Sequence, residues 1–230
     1  MIDTLLALDF APFLLSFKLA GLTTLILFII SVPLAWWLSQ TKSKTKPFFE
    51  ALTALPIVLP PSVLGFYILV SLSQNSPVGA FFNEYFDIQL VFNFTALVIA
   101  SCFYSLPFMV QPLQGGFESI NKNMLEASYI AGKSKLVTIL KVALPNIKPA
   151  VLTAIIITFA HTVGEFGVVL MVGGSIPDET KVASVAIYEM VEIMDYESAH
   201  IYSAIMVIIS FFVLLSVYIF NGRQNKKFGI

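Results

Sequence analysis

Five apolar stretches, each long enough to cross a membrane, constrain this 230-residue chain more than any other feature. They run over about 13–38, 52–73, 91–114, 150–172 and 200–220. A spanning helix needs about 20 mostly apolar residues. Charged residues make up only 12% of the sequence, against about 25% in a typical soluble domain. So much apolar surface cannot be buried in one globular core. We therefore predict an all-α membrane protein with about five transmembrane helices, forming a single transmembrane domain over residues 1–230.

Several classes of function are disfavoured at the outset. The single cysteine, Cys102, lies inside an apolar stretch, which argues against a disulfide framework or a cysteine-rich metal site and favours an inert thiol. No Gly-x4-Gly-Lys-Ser/Thr motif is present, so ATP hydrolysis is not expected on this chain. We expect no catalytic residue, no bound metal, no cofactor and no nucleic-acid partner. The acidic start, with Asp3 and Asp9, and the long first stretch predict a retained anchor and not a cleaved signal peptide.

The distribution of basic residues predicts how the chain is oriented. Of its 13 lysines and arginines, three lie in the first linker, five in the third linker and three in the C-terminal tail. With five spans these segments share one side of the membrane, which the positive-inside rule assigns to the cytoplasm. The N-terminus is then outside and the C-terminus inside. Lys18 lies near the outer end of the first stretch, where its ammonium group can reach the interface.

Three prolines interrupt the second apolar stretch, LPIVLPPSVLGFYIL. Pro56, Pro60 and Pro61 lack backbone donors and cannot all sit inside a continuous helix. We predict a broken helix that restarts near Ser62, with its positive end directed toward a cavity suited to a negative solute. Gly65 permits a close helix contact. A simple packing kink remains the alternative.

The fourth stretch, AHTVGEFGVVLMVGG, carries two ionisable residues within a membrane span. His161 and Glu165 are four residues apart and are expected to share one face of a continuous helix. A metal site would need more ligands than the stretch offers. A proton relay, a polar hinge or gate in which Gly164 and Gly167 permit movement, and a structural polar pair remain open. The candidate path or gate residues are Pro60, Pro61, Ser62, Gly65, His161, Thr162, Gly164, Glu165 and Gly167.

The third linker, about 115–149, is too polar to span and has the pattern of two short helices. Ser119 or Asn121 can cap the first helix, Gly132 ends it, Ser134 can cap the second, and Pro145 is expected to stop it. Each helix is expected to have one apolar face at helical spacing. The first face consists of Ile120, Met124, Ala127 and Ala131, and the second of Leu136, Ile139, Leu140 and Ala143. The pattern alone leaves two interpretations level, a helix pair on anionic lipid or a docking site for a cytoplasmic protein.

The spacing within this linker resembles the EAA loop of ABC importer permeases. Glu126-Ala127-Ser128, three residues, Gly132, nine residues and Val142-x-Leu144-Pro145 follow E-A-A-x3-G-x9-I-x-L-P, with Ser128 and Val142 as mild departures. In that family the loop forms coupling helices that sit in a cleft of the ATP-binding subunit. The resemblance implies that Glu126, Ala127, Ser128, Gly132, Leu144 and Pro145 form the ATPase-coupling loop.

The second and fourth stretches are also similar to those of molybdate permeases, and sulfate permeases share part of the Gly-Glu-Phe-Gly region. The family often has Arg before this region, where the present chain has His161. The resemblance implies a type I ABC importer permease in a bacterial inner membrane, forming the path for molybdate. It implies three kinds of protein partner: a second copy of the chain, two ATP-binding subunits that carry ATP and magnesium, and a periplasmic oxyanion-binding protein. A sulfate or tungstate permease is the alternative, and a proton-coupled secondary transporter is a more distant one.

Overall fold

A computed structural model describes residues 9–227, and this part of the chain is helical throughout, with short connections. In chain order the helices are α1 (Ala11–Gln40), α2 (Lys46–Val58), α3 (Pro61–Leu72), α4 (Pro77–Phe86), α5 (Phe94–Glu118), α6 (Lys122–Ile130), α7 (Lys135–Asn146), α8 (Lys148–Val163), α9 (Gly167–Gly173), α10 (Ala183–Glu192) and α11 (Tyr196–Lys227).

The number of membrane spans depends on how two bent helix pairs are counted. Among the described residues, α1, α5 and the first 21 residues of α11 are each long and apolar enough to cross a membrane. The pair α2 and α3 is bent by 110°, and the pair α7 and α8 by 85°. If each bent pair forms one span the total is five. That is the predicted number, although the second pair covers residues 135–163 and the predicted fourth span covers 150–172. By length and composition, the fold is therefore compatible with three to five crossings.

The core is built where α1, α5 and α8 pack against one another. Leu27 and Ala35 of α1 meet Met109 and Leu113 of α5, and Ala154 of α8 closes the same cluster. Trp36 packs edge-on against Phe117, with ring centroids 5.2 Å apart, which is a favourable aromatic geometry. Helix α1 runs without interruption through Pro33. The packing of these three helices positions the candidate site residues.

The predicted break in the second apolar stretch is confirmed. Helix α2 ends at Val58, Leu59 is extended, and α3 begins at Pro61, one residue earlier than predicted. Proline at the first helical position loses no hydrogen bond, because that N–H would have no partner within the helix. The adjacent Pro60, with extended backbone, precedes this start.

The prediction of one continuous helix over 150–172 is wrong. Helix α8 ends at Val163, and α9 begins at Gly167 after three non-helical residues. Gly164 terminates α8, and its N–H bonds to the carbonyls of Ala160 and His161. Glycine is a poor helix former, and two of them flank the short break. Glu165 therefore lies between helices and not on the same helical face as His161.

The predicted helix pair in the third linker is present, with two differences. Pro145 does not stop α7, which continues to Asn146 through a π-helical turn over Ile139–Ala143. The wider π turn leaves room for a proline ring that would crowd a regular helix. The predicted apolar face of the first helix is also wrong, because α6 buries Leu125 and Ser128 and leaves Met124 exposed. On the predicted face of the second helix, Ile139 and Ala143 are buried, whereas Leu136 and Leu140 are exposed.

On the side predicted to be outer, α10 is a short helix that follows the turn region GGSIPDETK. Ser16 of α1 accepts a hydrogen bond from the N–H of Ala183 at 2.9 Å, satisfying a donor at the start of α10. Glu189 pairs with Lys181. Partial burial acts to raise the pKa of Glu189, but this ion pair and its hydrogen bonds hold it below the usual range. Helix α10 is thereby fixed against α1, above the polar site.

Candidate functional site

A cavity of about 490 Å³ lies where the two broken segments of the chain meet. Its lining residues are Pro61, Tyr104, Ala160, His161, Gly164, Glu165, Phe166 and Gly167. The volume can hold a small solute together with several water molecules. Helix α8 has 16 residues and rises about 24 Å, so the cavity lies far from the end of the helix that begins at Lys148.

Two glycines allow α3 and α9 to approach each other beside the cavity. A Cβ atom added at Gly65 would lie 2.8 Å from the Cβ of Met171, and one at Gly167 would lie 3.0 Å from the Cβ of Pro61. Real Cβ atoms essentially never lie closer than 3.0 Å to a neighbouring atom. A larger residue at either position would therefore push the helices apart. The close contact brings the start of α3 to the break between α8 and α9.

Glu165 lies at the centre of a buried hydrogen-bond network. Its residue is 3% exposed, and its carboxylate accepts hydrogen bonds from the hydroxyls of Ser101 and Ser105 on α5. Its backbone carbonyl accepts a further bond from the hydroxyl of Ser184 on α10. A buried carboxylate is tolerated when it is hydrogen-bonded in this way. The network fixes the break between α8 and α9 to two neighbouring helices.

The imidazole of His161 joins the same network through Ser105. The Oγ of Ser105 lies 2.9 Å from Nδ1 of His161, 2.8 Å from Oγ1 of Thr162 and 3.0 Å from Oε1 of Glu165. The His161 ring stacks on Phe108 with centroids 4.0 Å apart and contacts Tyr104 at 4.8 Å. Nδ1 of His161 and Oε1 of Glu165 are 3.7 Å apart. The two residues therefore meet although they do not share a helix.

The structure brings together five of the nine candidate path residues at the cavity: Pro61, His161, Gly164, Glu165 and Gly167. Thr162 contributes through Ser105, and Gly65 through helix packing. Pro60 and Ser62 are exposed and do not line this cavity. Ser101 and Ser105 were not predicted, although two serines four residues apart in an apolar stretch are a detectable signal. Ser184 and Tyr104 carry no such signal.

The cavity lining has a consistent chemical character. Its residues include hydroxyl, imidazole and carboxyl groups but no lysine or arginine. Across residues 9–227 no three His, Cys, Asp or Glu side chains are grouped so that they could hold a metal ion. The site offers hydrogen bonds to a polar solute and no permanent positive charge.

The second candidate region, α6 and α7, forms a hairpin at the opposite end of α8; we call it the coupling hairpin. Gly132 lies between its helices with φ of 73°, a conformation that favours glycine, and open space surrounds the position of a Cβ. Asn121 and Ser134 cap the two helices through their side chains. Ser128 is buried, and its hydroxyl lies 2.9 Å from that of Thr138.

The other predicted coupling residues lie toward the surface of this hairpin. Glu126, Ala127 and Pro145 are exposed, and Leu144 is half-buried. Large apolar side chains are also exposed: Ile130 is 88% exposed and Leu136 is 65% exposed. An exposed apolar group of this kind is typical of a surface that meets another molecule.

Comparison with known proteins places the chain in a family. Residues 20–229 match the family described as "Binding-protein-dependent transport system inner membrane component". The chain is 46% identical over 219 residues to the molybdenum transport system permease protein ModB of Azotobacter vinelandii, covering 95% of this chain and 96% of that protein. It is 32% identical over 220 residues to a probable sulfate transport system permease protein cysT of Chlorella vulgaris, covering 96% of this chain and 81% of that protein.

Solved structures agree with this at the level of the fold. A bacterial ABC transporter involved in the import of the acidic polysaccharide alginate matches with a TM-score of 0.75 at 17% identity, covering 93% of this chain and 78% of that one. The MetNI methionine ABC transporter, in inward-facing conformations, matches with a TM-score of 0.72 at 15% identity, covering 92% and 94%. These likenesses confirm the predicted all-α, type I ABC importer permease fold. The chain is an inner-membrane component of the binding-protein-dependent transport systems and belongs to that family.

Proposed function

We propose that the chain is the permease subunit of an ATP-driven importer of molybdate. The observation that carries this proposal is the 46% identity to a molybdenum permease over nearly the whole of both chains. The sulfate permease from Chlorella vulgaris is 32% identical, so sulfate is less favoured as the substrate. Tungstate has the same tetrahedral dianion chemistry and remains a competitor that only transport measurements separate.

The cavity at the two helix breaks is our candidate for part of the solute path. A dianion cannot enter hydrocarbon without a very large desolvation cost, so it needs polar groups along its way. The cavity supplies hydroxyl, imidazole and carboxyl groups of this kind. A path also needs weak binding so that the solute can leave, and a lining without lysine or arginine suits weak binding. Selective capture is better performed by an external oxyanion-binding protein.

The coupling hairpin is our candidate for the contact with the ATP-binding subunit. Its exposed apolar side chains, including Ile130 and Leu136, lie on a polar, lysine-rich segment, which fits a protein cleft better than the hydrocarbon interior. The 85° bend between α7 and α8 joins this hairpin directly to the helix that ends at the cavity. Movement of the hairpin can therefore be transmitted to the site through one helix, α8.

The proposed assembly has two copies of the chain, two ATP-binding subunits that hold ATP and magnesium, and one external oxyanion-binding protein. Two copies are proposed because the three to five spans found among the described residues are too few to enclose a path, and a two-fold pair is the commonest solution. The proposed orientation, N-terminus outside and C-terminus in the cytoplasm, rests on the positive-inside rule. Cysteine labelling at either end of the full chain would test it.

Uptake by the reconstituted assembly tests the substrate. Proteoliposomes that contain ATP are given radiolabelled molybdate with the external binding protein, and unlabelled sulfate or tungstate is added in competition. We expect ATP-dependent molybdate uptake that tungstate competes for and sulfate does not. Uptake that needs no ATP and collapses with a proton uncoupler would replace the proposal with a secondary transporter.

A further inference from the structure

We propose that His161, Ser105 and Glu165 form an oxyanion-contact site in which one shared proton keeps Nε2–H of His161 available to the cavity as a hydrogen-bond donor. This inference rests on the proposed function, because it takes the solute to be an oxyanion. It goes beyond it by naming the side chain that contacts the solute and the condition under which that contact is made.

The hydrogen bonds already limit which nitrogen of His161 can serve. Nδ1 is 2.9 Å from Oγ of Ser105, and Ser105 is 3.0 Å from Oε1 of Glu165. In the part of the chain that the structure describes, no residue hydrogen-bonds Nε2. The side chain is 21% exposed and the residue lines the cavity. Nε2 is therefore the nitrogen that can meet a solute.

The hydroxyl of Ser105 couples the proton positions on Glu165 and His161, and its third neighbour, the Thr162 hydroxyl at 2.8 Å, can donate to it in either arrangement. A serine hydroxyl has one proton to donate and can accept two hydrogen bonds. When Glu165 is a neutral acid, it donates to Ser105, and Ser105 donates to Nδ1. The ring proton of His161 is then on Nε2, facing the cavity.

The same proton can move from Glu165 through Ser105 to His161, and the cavity is still lined by Nε2–H of His161. The carboxyl proton of Glu165 passes to Oγ of Ser105 while the hydroxyl proton of Ser105 passes to Nδ1. The products are a carboxylate and an imidazolium, and Nε2 still carries its proton. In both arrangements Glu165 and His161 together have no net charge, and Nε2–H of His161 is a hydrogen-bond donor toward the cavity.

Loss of the shared proton reverses the character of the cavity wall. Glu165 is then a carboxylate that needs the hydroxyl proton of Ser105, so Nδ1 must donate to Ser105. Nε2 is left with a lone pair, and the pair carries one negative charge. A dianion is repelled by that charge and has no donor at this position. Among the described residues, no lysine or arginine lines the cavity to offset this charge.

Other titratable groups near Glu165 and His161 do not account for this loss of a proton. Tyr104 packs on His161, and Cys102 lies close enough to interact with Glu165, but phenols and thiols are ordinarily protonated at neutral pH. The charged or titratable groups on the neighbouring helices are engaged or turned elsewhere: Lys18 of α1 over Phe94, Tyr188 of α10 with Glu192, Tyr67 of α3 exposed, and Tyr202 of α11 with the carbonyl of Asp9. Helix α9 has no titratable side chain.

The first test compares the pH dependence of uptake in the assembled transporter. In Glu165→Gln the amide donates to Ser105 at every pH, which holds Nε2–H toward the cavity permanently. We expect wild-type molybdate uptake to fall about tenfold per pH unit above its alkaline midpoint, as for loss of one proton, and the Glu165→Gln profile to stay flat there. Both proteins use the same ATP-binding and external proteins, so the pH dependence of those partners cancels in the ratio of the two uptakes.

Two histidine variants test the donor itself. His161→Phe keeps a ring between Phe108 and Tyr104 but removes Nε2–H, and we expect uptake at neutral pH to fall at least tenfold. His200→Phe changes the other histidine, which is exposed on α11, and should leave uptake unchanged. A Cys102→Ala, Tyr104→Phe background should retain the difference between wild type and Glu165→Gln.

The second test observes the proton directly. In His200→Phe, His161 is the only histidine of the chain, so 15N-histidine labelling of this subunit gives signals from one ring. The labelled subunit, purified without a histidine tag and assembled with unlabelled partners, should show a protonated Nε2 at neutral pH and a shift of that signal with molybdate.

The outcomes separate this inference from the proposed function. If wild type transports no oxyanion at all, the proposed function fails. If wild type transports but Glu165→Gln keeps the same alkaline decline, or His161→Phe transports normally, the contact site is wrong and the permease assignment stands. An unprotonated Nε2 at neutral pH overturns the contact site as well, even where Glu165→Gln does not assemble.

Discussion

Apolar side chains are usually buried and polar ones exposed, and two regions depart from this in opposite ways: the polar site around Glu165 and the coupling hairpin. At the first, polar groups are buried in an apolar bundle, and each is satisfied by another polar group of the same chain. At the second, large apolar side chains such as Ile130 are exposed and have no covering element. The buried polar groups have their hydrogen-bond partners within the chain, whereas the exposed apolar surface can be buried only by another molecule. The comparison predicts that mutations at the first change the fold itself and mutations at the second change assembly.

The largest effect is expected from Glu165→Ala. The hydroxyl of Ser101 would lose its acceptor in a buried site, at about 1–3 kcal/mol for each polar group left unsatisfied. We expect a lower thermal unfolding midpoint in detergent and loss of uptake. The control, Glu126→Ala, removes an exposed carboxylate from the coupling hairpin and should leave the midpoint unchanged. Equal midpoints for the two variants would contradict the comparison.

The next largest effect is expected at the contact between α3 and α9. Gly65→Ala places a methyl group 2.8 Å from the Cβ of Met171, and overpacking of this kind costs about 1–3 kcal/mol. We expect a lower unfolding midpoint and reduced uptake, because the two helices that line the cavity must separate. Gly21→Ala is the matched control, since nothing lies within 4 Å of its added Cβ. A destabilisation by Gly21→Ala equal to that of Gly65→Ala would show that helix contact is not the cause.

The coupling hairpin is tested by its exposed apolar side chains. Ile130→Ser should weaken binding of the ATP-binding subunit about tenfold, as expected for loss of a well-placed apolar contact in an interface. The unfolding midpoint of the isolated subunit should not fall, because the side chain is 88% exposed and has little packing to lose. Ile193→Ser, at an exposed isoleucine beyond α10, is the control and should bind normally. Affinity is measured with purified ATP-binding subunit, and equal weakening by both variants would contradict a docking role for the hairpin.

Gly132→Asp tests the same surface at the turn between α6 and α7. Aspartate tolerates a positive φ better than most residues, so the hairpin should keep its shape while its tip gains a bulky charge. We expect weaker pull-down of the ATP-binding subunit and lower coupled ATPase activity with an unchanged membrane fold. If both readouts were unchanged, the tip would not be part of the docking surface.

The smallest effect is expected within the hairpin. Ser128→Ala removes one hydroxyl of the pair with Thr138, which contributes about 1 kcal/mol. The double variant with Thr138→Val should be less destabilised than the sum of the two single variants, because no hydroxyl is then left without a partner. Strict additivity in this double-mutant cycle would show that the two hydroxyls do not interact.

Much of the architecture followed from local signals. The apolar stretches place α1, α5 and α11, because a membrane imposes a minimum length on any spanning helix. The prolines at positions 60 and 61 place the break before α3, because proline cannot donate a helical hydrogen bond. The break around Glu165 was missed, because two glycines lower helix propensity without forbidding a helix. Its position depends on Ser184 and Ser101, which are distant in sequence.

The sequence by itself determined that this protein is helical and membrane-embedded, and the resemblance of its third linker to the EAA loop predicted where a partner would dock. Both are encoded by composition and short-range spacing. Only the tertiary structure decided that Ser105 joins His161 to Glu165, and that Leu125 and Ser128, not Met124 and Ala127, face inward on α6. These depend on how α5 packs against α8 and how the hairpin folds back on itself. Contacts between distant segments are set by packing geometry, which helical spacing alone does not specify.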